Sequence, residues 1–172
     1  GTGTRSLIGM DLLKDFCCHF CFDVNRLLLD PDDALDDLYQ ALTLDQKYHP
    51  YVSVQLGDVS ASAVWDTGAS LTVVDTGFIQ HHPQMFQAAG YSTGTDSSGA
   101  QMETPMLMMA GCRIGGYDFP PQRVAGVDLS AVNAAIEIPM DMILGYNTLC
   151  QANWVFDFPR RRWMISKWLG NL

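Results

Sequence analysis

Charge is scarce in this chain: only 17% of its 172 residues are charged, and lysine and arginine together number 10. Nucleic-acid binders present a clustered basic face. With 19 acids and a net charge of −9, the sequence argues against that class of partner. Its one dense basic run, Arg160-Arg161-Arg162, falls where a hairpin turn is expected and reads as a solvated turn. Nowhere does an apolar run approach the roughly 20 residues that span a bilayer, so no membrane span is predicted. No signal peptide is visible. The chain opens Gly1-Thr2-Gly3-Thr4 without Met, which predicts an upstream piece that was removed or never included. Disulfide architecture is absent too, because Cys17, Cys18, Cys21, Cys112 and Cys150 form an odd, clustered set that reads as reduced thiols. No convincing Gly-rich phosphate loop is present, and neither a cofactor nor a metal is expected.

What the sequence does have is apolar content, 48% of the chain, enough for a packed core rather than disorder. The composition shifts near residue 50. Residues 1–47 carry nine acids and four bases, and residues 48–172 carry ten and six. The early acids gather in Asp30-Pro31-Asp32-Asp33-Ala34-Leu35-Asp36-Asp37, which predicts a turn leading into a helix capped by Asp32 or Asp33. Leu35, Leu38 and Leu42 recur at helical spacing, so residues 30–47 are expected to form an acidic linker helix.

From Tyr48 the period becomes two. Val52, Val54 and Leu56 alternate with Ser53 and Gln55, and Gly57-Asp58 offers a turn before Val59–Trp65, a hairpin signal. Short strands are expected at Met106–Met109, at Cys112–Ile114 before a Gly115-Gly116 turn, and at Arg123–Val127. A last pair, Trp154–Phe158 and Trp163–Ser166, is joined by Pro159-Arg160-Arg161. Residues 90–99, rich in Gly, Ser and Thr, read as a mobile hairpin tip. Many short strands and few helices predict an all-β barrel or sandwich.

The chain also repeats itself. Sliding residues 8–29 onto 144–165, an offset of 136, matches Gly9 with Gly145, Leu13 with Leu149, Phe20 with Phe156, Phe22 with Phe158 and Arg26 with Arg162, and sets Asp11 on Asn147. Both segments read as two apolar residues and Gly, a short helix, a Phe-x-Phe strand, a turn and an apolar strand. Residues 1–29 are therefore expected to be the tail of a preceding, similar lobe.

Chemistry concentrates in Ala63-Val64-Trp65-Asp66-Thr67-Gly68-Ala69-Ser70-Leu71-Thr72-Val73-Val74, an apolar strand that enters a small-residue loop and leaves through another. A carboxylate there can activate water. Gly68 lets the backbone approach and donate its N–H near that carboxylate, Thr67 can bond across to a partner loop, and Ser70 can donate to the outer oxygen of Asp66. A second triplet, Asp75-Thr76-Gly77, lacks the Ala-Ser continuation. It reads as a strand end, with Gly77 shaping a turn. Cys17-Cys18-His19-Phe20-Cys21 invites a zinc reading but lacks the ligand spacing of zinc sites; buried core cysteines are the simpler reading. His81-His82-Pro83 reads as an exposed loop, Met106, Met108 and Met109 as core or pocket lining, and Cys150 as packed in a helix.

The Asp66-Thr67-Gly68-Ala69-Ser70 loop, together with Ile143-Leu144-Gly145-Tyr146-Asn147 placed 77 residues after Asp66, resembles the retropepsin-like and pepsin-like aspartic peptidases. The resemblance covers about residues 48–166 and, more faintly, 7–29. It implies a closed β-barrel lobe with a short helix near its C-terminus, preceded by a strand and helix extension, with 48–172 as the protease domain. It implies that Asp66 is the catalytic carboxylate and that Thr67, Gly68, Ala69 and Ser70 support its loop. A substrate-covering flap would lie in Tyr91–Pro105, with Tyr91, Ser92, Thr93 and Gly94 against substrate, and Ile143, Leu144 and Gly145 would pass beside the loop.

Such enzymes need two carboxylates sharing one proton. The second would come from an identical chain in a homodimer or from a missing upstream lobe, as in the second lobe of a bacterial tandem aspartyl protease. By that analogy the compartment is extracytoplasmic. The expected activity is endopeptidase cleavage of polypeptide between apolar residues. The alternatives are an incomplete protease fold that binds peptide, and a lobe that mediates dimerisation.

Overall fold

Short strands separated by tight turns make up most of the chain. The computed structural model describes residues 8–31, 38–95 and 101–170. It opens with α1 (Met10–Leu13), β1 (Cys17–Cys21) and β2 (Arg26–Leu29), the last two turned about Asn25 at φ +52. Two short strands follow, β3 (Gln40–Ala41) and β4 (Thr43–Leu44). Part of the expected linker helix, residues 32–37, lies outside the described residues. Residues 38–47 are not helical, and the expectation fails there because their backbone groups find partners on strand edges, Gln40–Ala41 on one sheet and Thr43–Leu44 on the other. Leu42 is buried between them, so its place in a helical leucine pattern was a coincidence of spacing.

The main body begins with the hairpin β5 (Pro50–Leu56) and β6 (Val59–Trp65), turned at Gly57 with φ +59. β7 (Val73–Asp75) leads into α2 (Thr76–His81), and the long hairpin β8 (Phe86–Thr95) and β9 (Gln101–Met109) follows. β10 (Cys112–Ile114) and β11 (Tyr117–Phe119) flank Gly115 and Gly116, both at positive φ, as a two-residue hairpin turn requires. The remaining elements are β12 (Gln122–Val127), α3 (Ser130–Asn133), β13 (Met142–Leu144), α4 (Tyr146–Leu149), β14 (Ala152–Asp157) and β15 (Arg162–Trp168).

These strands form two sheets. One runs β2-β1-β14-β15-β3. The other runs β11-β10-β5-β6-β13-β7-β12-β9-β8, with β4 added to β5. The expected closed barrel is not present among the described residues. β11 pairs only with β10 and β8 only with β9, so the sheet keeps two ends. The β8–β9 register shifts between Ala88 and Tyr91, around Gly90 at φ +90, and such irregularities bend a strand out of a regular ladder.

The core draws on both sheets through an aromatic cluster. Trp154 and Phe156 are fully buried and alternate with the equally buried Val155; β14 is thus covered on both faces, with buried Asn153 and Asp157 on the Val155 side. Trp154 stacks on Trp163 at 5.9 Å and donates its indole N–H to the Leu149 carbonyl at 2.8 Å. Trp65, at the end of β6, meets Phe20 at 4.5 Å and Phe156 at 4.8 Å. At the turn after β14, buried Asp157 accepts from Arg162 Nε at 2.8 Å and from Arg160 Nη1 at 3.1 Å.

Two stability predictions follow from this core. Trp154→Ala should cost about 3–5 kcal/mol in urea unfolding, because it removes a packed indole and orphans the Leu149 carbonyl. Burial raises the Asp157 carboxyl, but the hydrogen bonds from Arg162 and Arg160 outweigh it and hold the pKa below the ordinary 3.8. Its stabilisation is therefore complete above that value and is lost as acid takes the pH below it. Asp157→Asn should lower stability by about 1–3 kcal/mol at neutral pH. It should also flatten the stability curve below about pH 4, measured by thermal unfolding across pH.

Candidate active site

Asp66 sits where β6 ends, on a loop pinned from below. Its N–H donates to the Leu144 carbonyl at 3.1 Å, continuing the parallel pairing of β6 with β13. β13 pairs on its other side with β7, so the chain that leaves Trp65 must cross over Gly145 before it can return as β7. The crossing is too close for a side chain: a Cβ on Gly145 would run into the Leu71 carbonyl and come within 2.8 Å of the Thr72 nitrogen. Glycine is a steric requirement at that position.

Polar side chains lock the crossing. Thr72 N–H donates to Asn147 Oδ1 at 2.7 Å, and Asn147 Nδ2 donates to the Arg123 carbonyl at 3.0 Å. Buried Thr72 Oγ1 accepts from the Gly145 N–H at 3.0 Å and lies 2.6 Å from Thr148 Oγ1, which donates to Gln122 Oε1 at 3.0 Å. Tyr146 N–H donates to the Ala69 carbonyl at 2.8 Å. The loop thus hangs from the start of α4 by three contacts, at Ala69, Thr72 and the Leu71 crossing. Thr72, Thr148 and Gln122 were not singled out from the sequence, where a threonine inside an apolar strand is an ordinary β-former.

On this mount the Asp66 carboxylate accepts the Gly68 N–H at 2.7 Å on Oδ1 and is exposed. Thr67 and Gly68 are exposed as well. Among the described residues no hydrogen bond joins Ser70 to Asp66, so the donor expected at the outer oxygen is not in place. Ser70 points to solvent instead.

The second triplet uses its carboxylate differently. Asp75 caps α2 by accepting from Phe78 N–H at 3.2 Å, and its other oxygen accepts the Leu129 N–H at 2.9 Å. Both oxygens are consumed by structure. Gly77 belongs to α2 rather than to a turn, and a Cβ there would come within 2.8 Å of Asp75 Oδ2. His81 likewise ends that helix instead of lying in a loop, with Nδ1 2.6 Å from the Gly77 carbonyl, and His82 packs on Phe78 at 4.7 Å.

The β8–β9 hairpin aligns Tyr91 with Pro105, Ser92 with Thr104, Thr93 with Glu103 and Gly94 with Met102. Tyr91, Ser92 and Thr93 are exposed; of the expected hairpin tip at residues 90–99, positions 96–99 lie outside the described residues and 90–95 belong to β8. Among the described residues, two hollows touch the Asp66 loop. One, of about 490 Å³, lies between Thr67, Gly68 and Tyr146 on one side and Leu13, Phe20 and Leu27 on the other. The second, of about 410 Å³, has Trp65, Asp66, Val132 and Ile143 facing Ile8, Gly9 and Met10. Tyr91, Ser92 and Thr93 line neither.

Of the β1 cysteines, Cys18 is buried in the core, and Cys17 and Cys21 are half-buried. Burial raises the thiols of Cys17 and Cys21 and pushes Cys18 up to about 12, which favours the thiol over the reactive thiolate. Among the described residues no group of three or more His, Cys, Asp or Glu side chains is placed to hold a metal. Met106 and Met109 are buried and Met108 is exposed. Cys150 sits at the C-terminal end of α4 with its Sγ 3.8 Å from the Asn147 carbonyl.

No family model and no curated protein matches the sequence. Among solved structures the chain is similar to a retropepsin-like aspartic protease from Rickettsia conorii, at 14% identity and a TM-score of 0.46 over 66% of this chain and 79% of that one. It is similar to the protease of Simian Foamy Virus (mac) at 12% identity and a TM-score of 0.42, over 58% and 90% of the two chains. It is also similar to the retroviral protease-like domain of Ddi1 from Leishmania major, at 16% identity and a TM-score of 0.48, over 69% and 88%.

Proposed function

We propose that this chain supplies one half of the catalytic centre of an aspartic endopeptidase, with Asp66 as one of two carboxylates that activate a water between them. The observation that carries the reading is the contrast between the two triplets. Asp75 spends both oxygens on backbone N–H groups, whereas Asp66 rests on a rigid crossing, takes one N–H on Oδ1 and presents the rest of its carboxylate to a hollow. Reactive carboxylates need that combination of fixed position and free lone pairs.

In the reaction a second aspartate, from a partner of like fold, shares one proton with Asp66. The ionised member takes a proton from the water as its oxygen bonds to the scissile carbonyl carbon. The protonated member gives its proton to the carbonyl oxygen. Collapse of the resulting gem-diol breaks the C–N bond as the amine nitrogen is protonated, leaving two peptide ends and the dyad with its single proton. Thr67, exposed at the loop tip, would bond to the partner loop. Ala69 and Ser70 complete that loop, and Ile143, Leu144 and Gly145 form the floor beneath it. Tyr91, Ser92, Thr93 and Gly94, in the β8–β9 hairpin, would contact substrate once that hairpin closes as a flap.

A second reading has its own observation. Among the described residues no carboxylate faces Asp66 across either hollow; the chain alone would then hold a peptide without cutting it. Asp66→Asn separates the two. The substitution keeps the Oδ1 acceptor for the Gly68 N–H, so thermal unfolding should be unchanged. Cleavage of an unbiased peptide library by the protein with its natural flanking sequence should fall by about 10²–10⁴-fold, and pepstatin should block the unsubstituted protein. Cleavage that survives the substitution would remove Asp66 from the chemistry. Peptide binding without cleavage in both forms would favour the second reading.

A further inference from the structure

The two segments that match at an offset of 136 also match as structures. α1 spans Met10–Leu13 and α4 spans Tyr146–Leu149, the same four positions 136 apart. Both are preceded by an extended glycine, Gly9 at φ −85 and ψ 166 and Gly145 at φ −97 and ψ 179. The strands that follow pair with each other, and their register is self-consistent under exchange. Cys18 lies opposite Phe156 and Phe20 opposite Trp154, while His19 lies opposite Val155, its own counterpart. A local twofold axis therefore passes between His19 and Val155, and the β1–β14 contact is isologous, each side offering the same element.

What one half holds, the other half is built to hold. Gly145 accommodates the Leu71–Thr72 crossing, and Asn147 Oδ1 accepts the Thr72 N–H. At Gly9 a Cβ would meet only atoms of its neighbour Asp11 among the described residues; the place corresponding to Leu71–Thr72 is open. Asp11 stands where Asn147 stands and offers the same acceptor oxygen. The apolar surface tells the same story. Ile8, Leu12, Leu28 and Leu29 are 59%, 50%, 40% and 43% exposed, while their counterparts Leu144, Thr148, Met164 and Ile165 are 0%, 0%, 6% and 2% exposed. Among the described residues β2 is an edge strand, whereas its counterpart β15 has β3 on its outer side.

We infer that residues 8–29 are the mount for a second active-site loop, and that the occupant is a lobe of this same fold preceding residue 8 in the same polypeptide. Gly9 and Asp11 would clasp its loop as Gly145 and Asn147 clasp Leu71–Thr72. Calling that loop an active-site loop rests on the aspartic peptidase reading; the docking does not. A second copy of this chain is disfavoured as occupant, because its β14 would have to take the place on β14 that β1 already fills. Asp66 lies 79 residues before Gly145, so the preceding lobe should carry its own Asp-Thr/Ser-Gly at a comparable distance before Gly9.

Hydrogen exchange, comparing the 172-residue chain with the full polypeptide encoded upstream of it, tests this without reference to cleavage. In the longer protein, amides of Gly9–Leu13 and the outward amides of Arg26–Leu29 should gain protection by about 10²-fold or more. Gly9→Val in the longer protein should abolish that gain and leave β5 and β6 as protected as before, since the backbone at Gly9 is extended and the one group a Cβ there would displace, the Asp11 carboxylate, is the free end of a flexible side chain. The inference is overturned by an upstream reading frame with no such lobe, by equal exchange in the two proteins, or by a 172-residue chain that sediments as a dimer with Gly9–Leu13 already protected. Docking without cleavage would sink the peptidase reading and leave the mount standing.

Discussion

Everything about the site depends on one steric fact, the passage of Leu71–Thr72 across Gly145 with no room for a side chain. β13 is inserted between β6 and β7, parallel to the first and antiparallel to the second. A chain leaving β6 can reach β7 only by stepping over β13, and the step is shortest where β13 ends in glycine. That constraint fixes the height and direction of Asp66 at the near side of the step. Thr72, Asn147 and Thr148 then convert a close approach into a bonded one. Buried polar groups are costly unless paired; this network pays that cost by holding the loop in one geometry.

The same element serves two ends of the chain. Helix α4 hangs the Asp66 loop from its first turn, and β14 behind it lies against β1, which belongs to the other half of the local symmetry. Trp65 joins the two ends, because the residue before Asp66 packs on Phe20 of β1 and on Phe156 of β14 at once. The position of Asp66 is therefore coupled to the packing of the N-terminal segment. Loss of β1 would loosen the aromatic contact nearest the carboxylate, although Phe20 touches no reacting atom.

Much of this was legible in the sequence, and for identifiable reasons. Hairpins with strong turn chemistry, at Gly57-Asp58 and Gly115-Gly116, carry their geometry in two residues. The Asp66 loop and the Gly145 segment are legible because each needs small residues at fixed places. The linker helix failed at 38–47 because leucine spacing over two turns fits a helix and a pair of edge strands equally well. β11 was missed because Tyr117–Phe119 is too short for a period to register. Barrel closure was a long-range property of sheet ends, which no local pattern encodes. The Thr72–Thr148–Gln122 chain was invisible for the same reason: its members lie 76 and 26 residues apart, and only the crossing brings them together.

The paired triplets show why a motif is not a site. Asp66-Thr67-Gly68 and Asp75-Thr76-Gly77 use their aspartates alike at first, each carboxylate taking a backbone N–H two or three residues on, with a glycine crowded against it. The local physics of the triplet is thus a tight turn that orients a carboxylate, whatever follows. What differs is the element beneath. After Asp75 the chain enters a helix, and the Leu129 N–H closes on the second oxygen, so the group becomes a cap. After Asp66 the chain must travel across Gly145, no helix can form, and the outer side of the carboxylate is left to solvent. The difference between a capping aspartate and an open one is set here by the strand order of the sheet below.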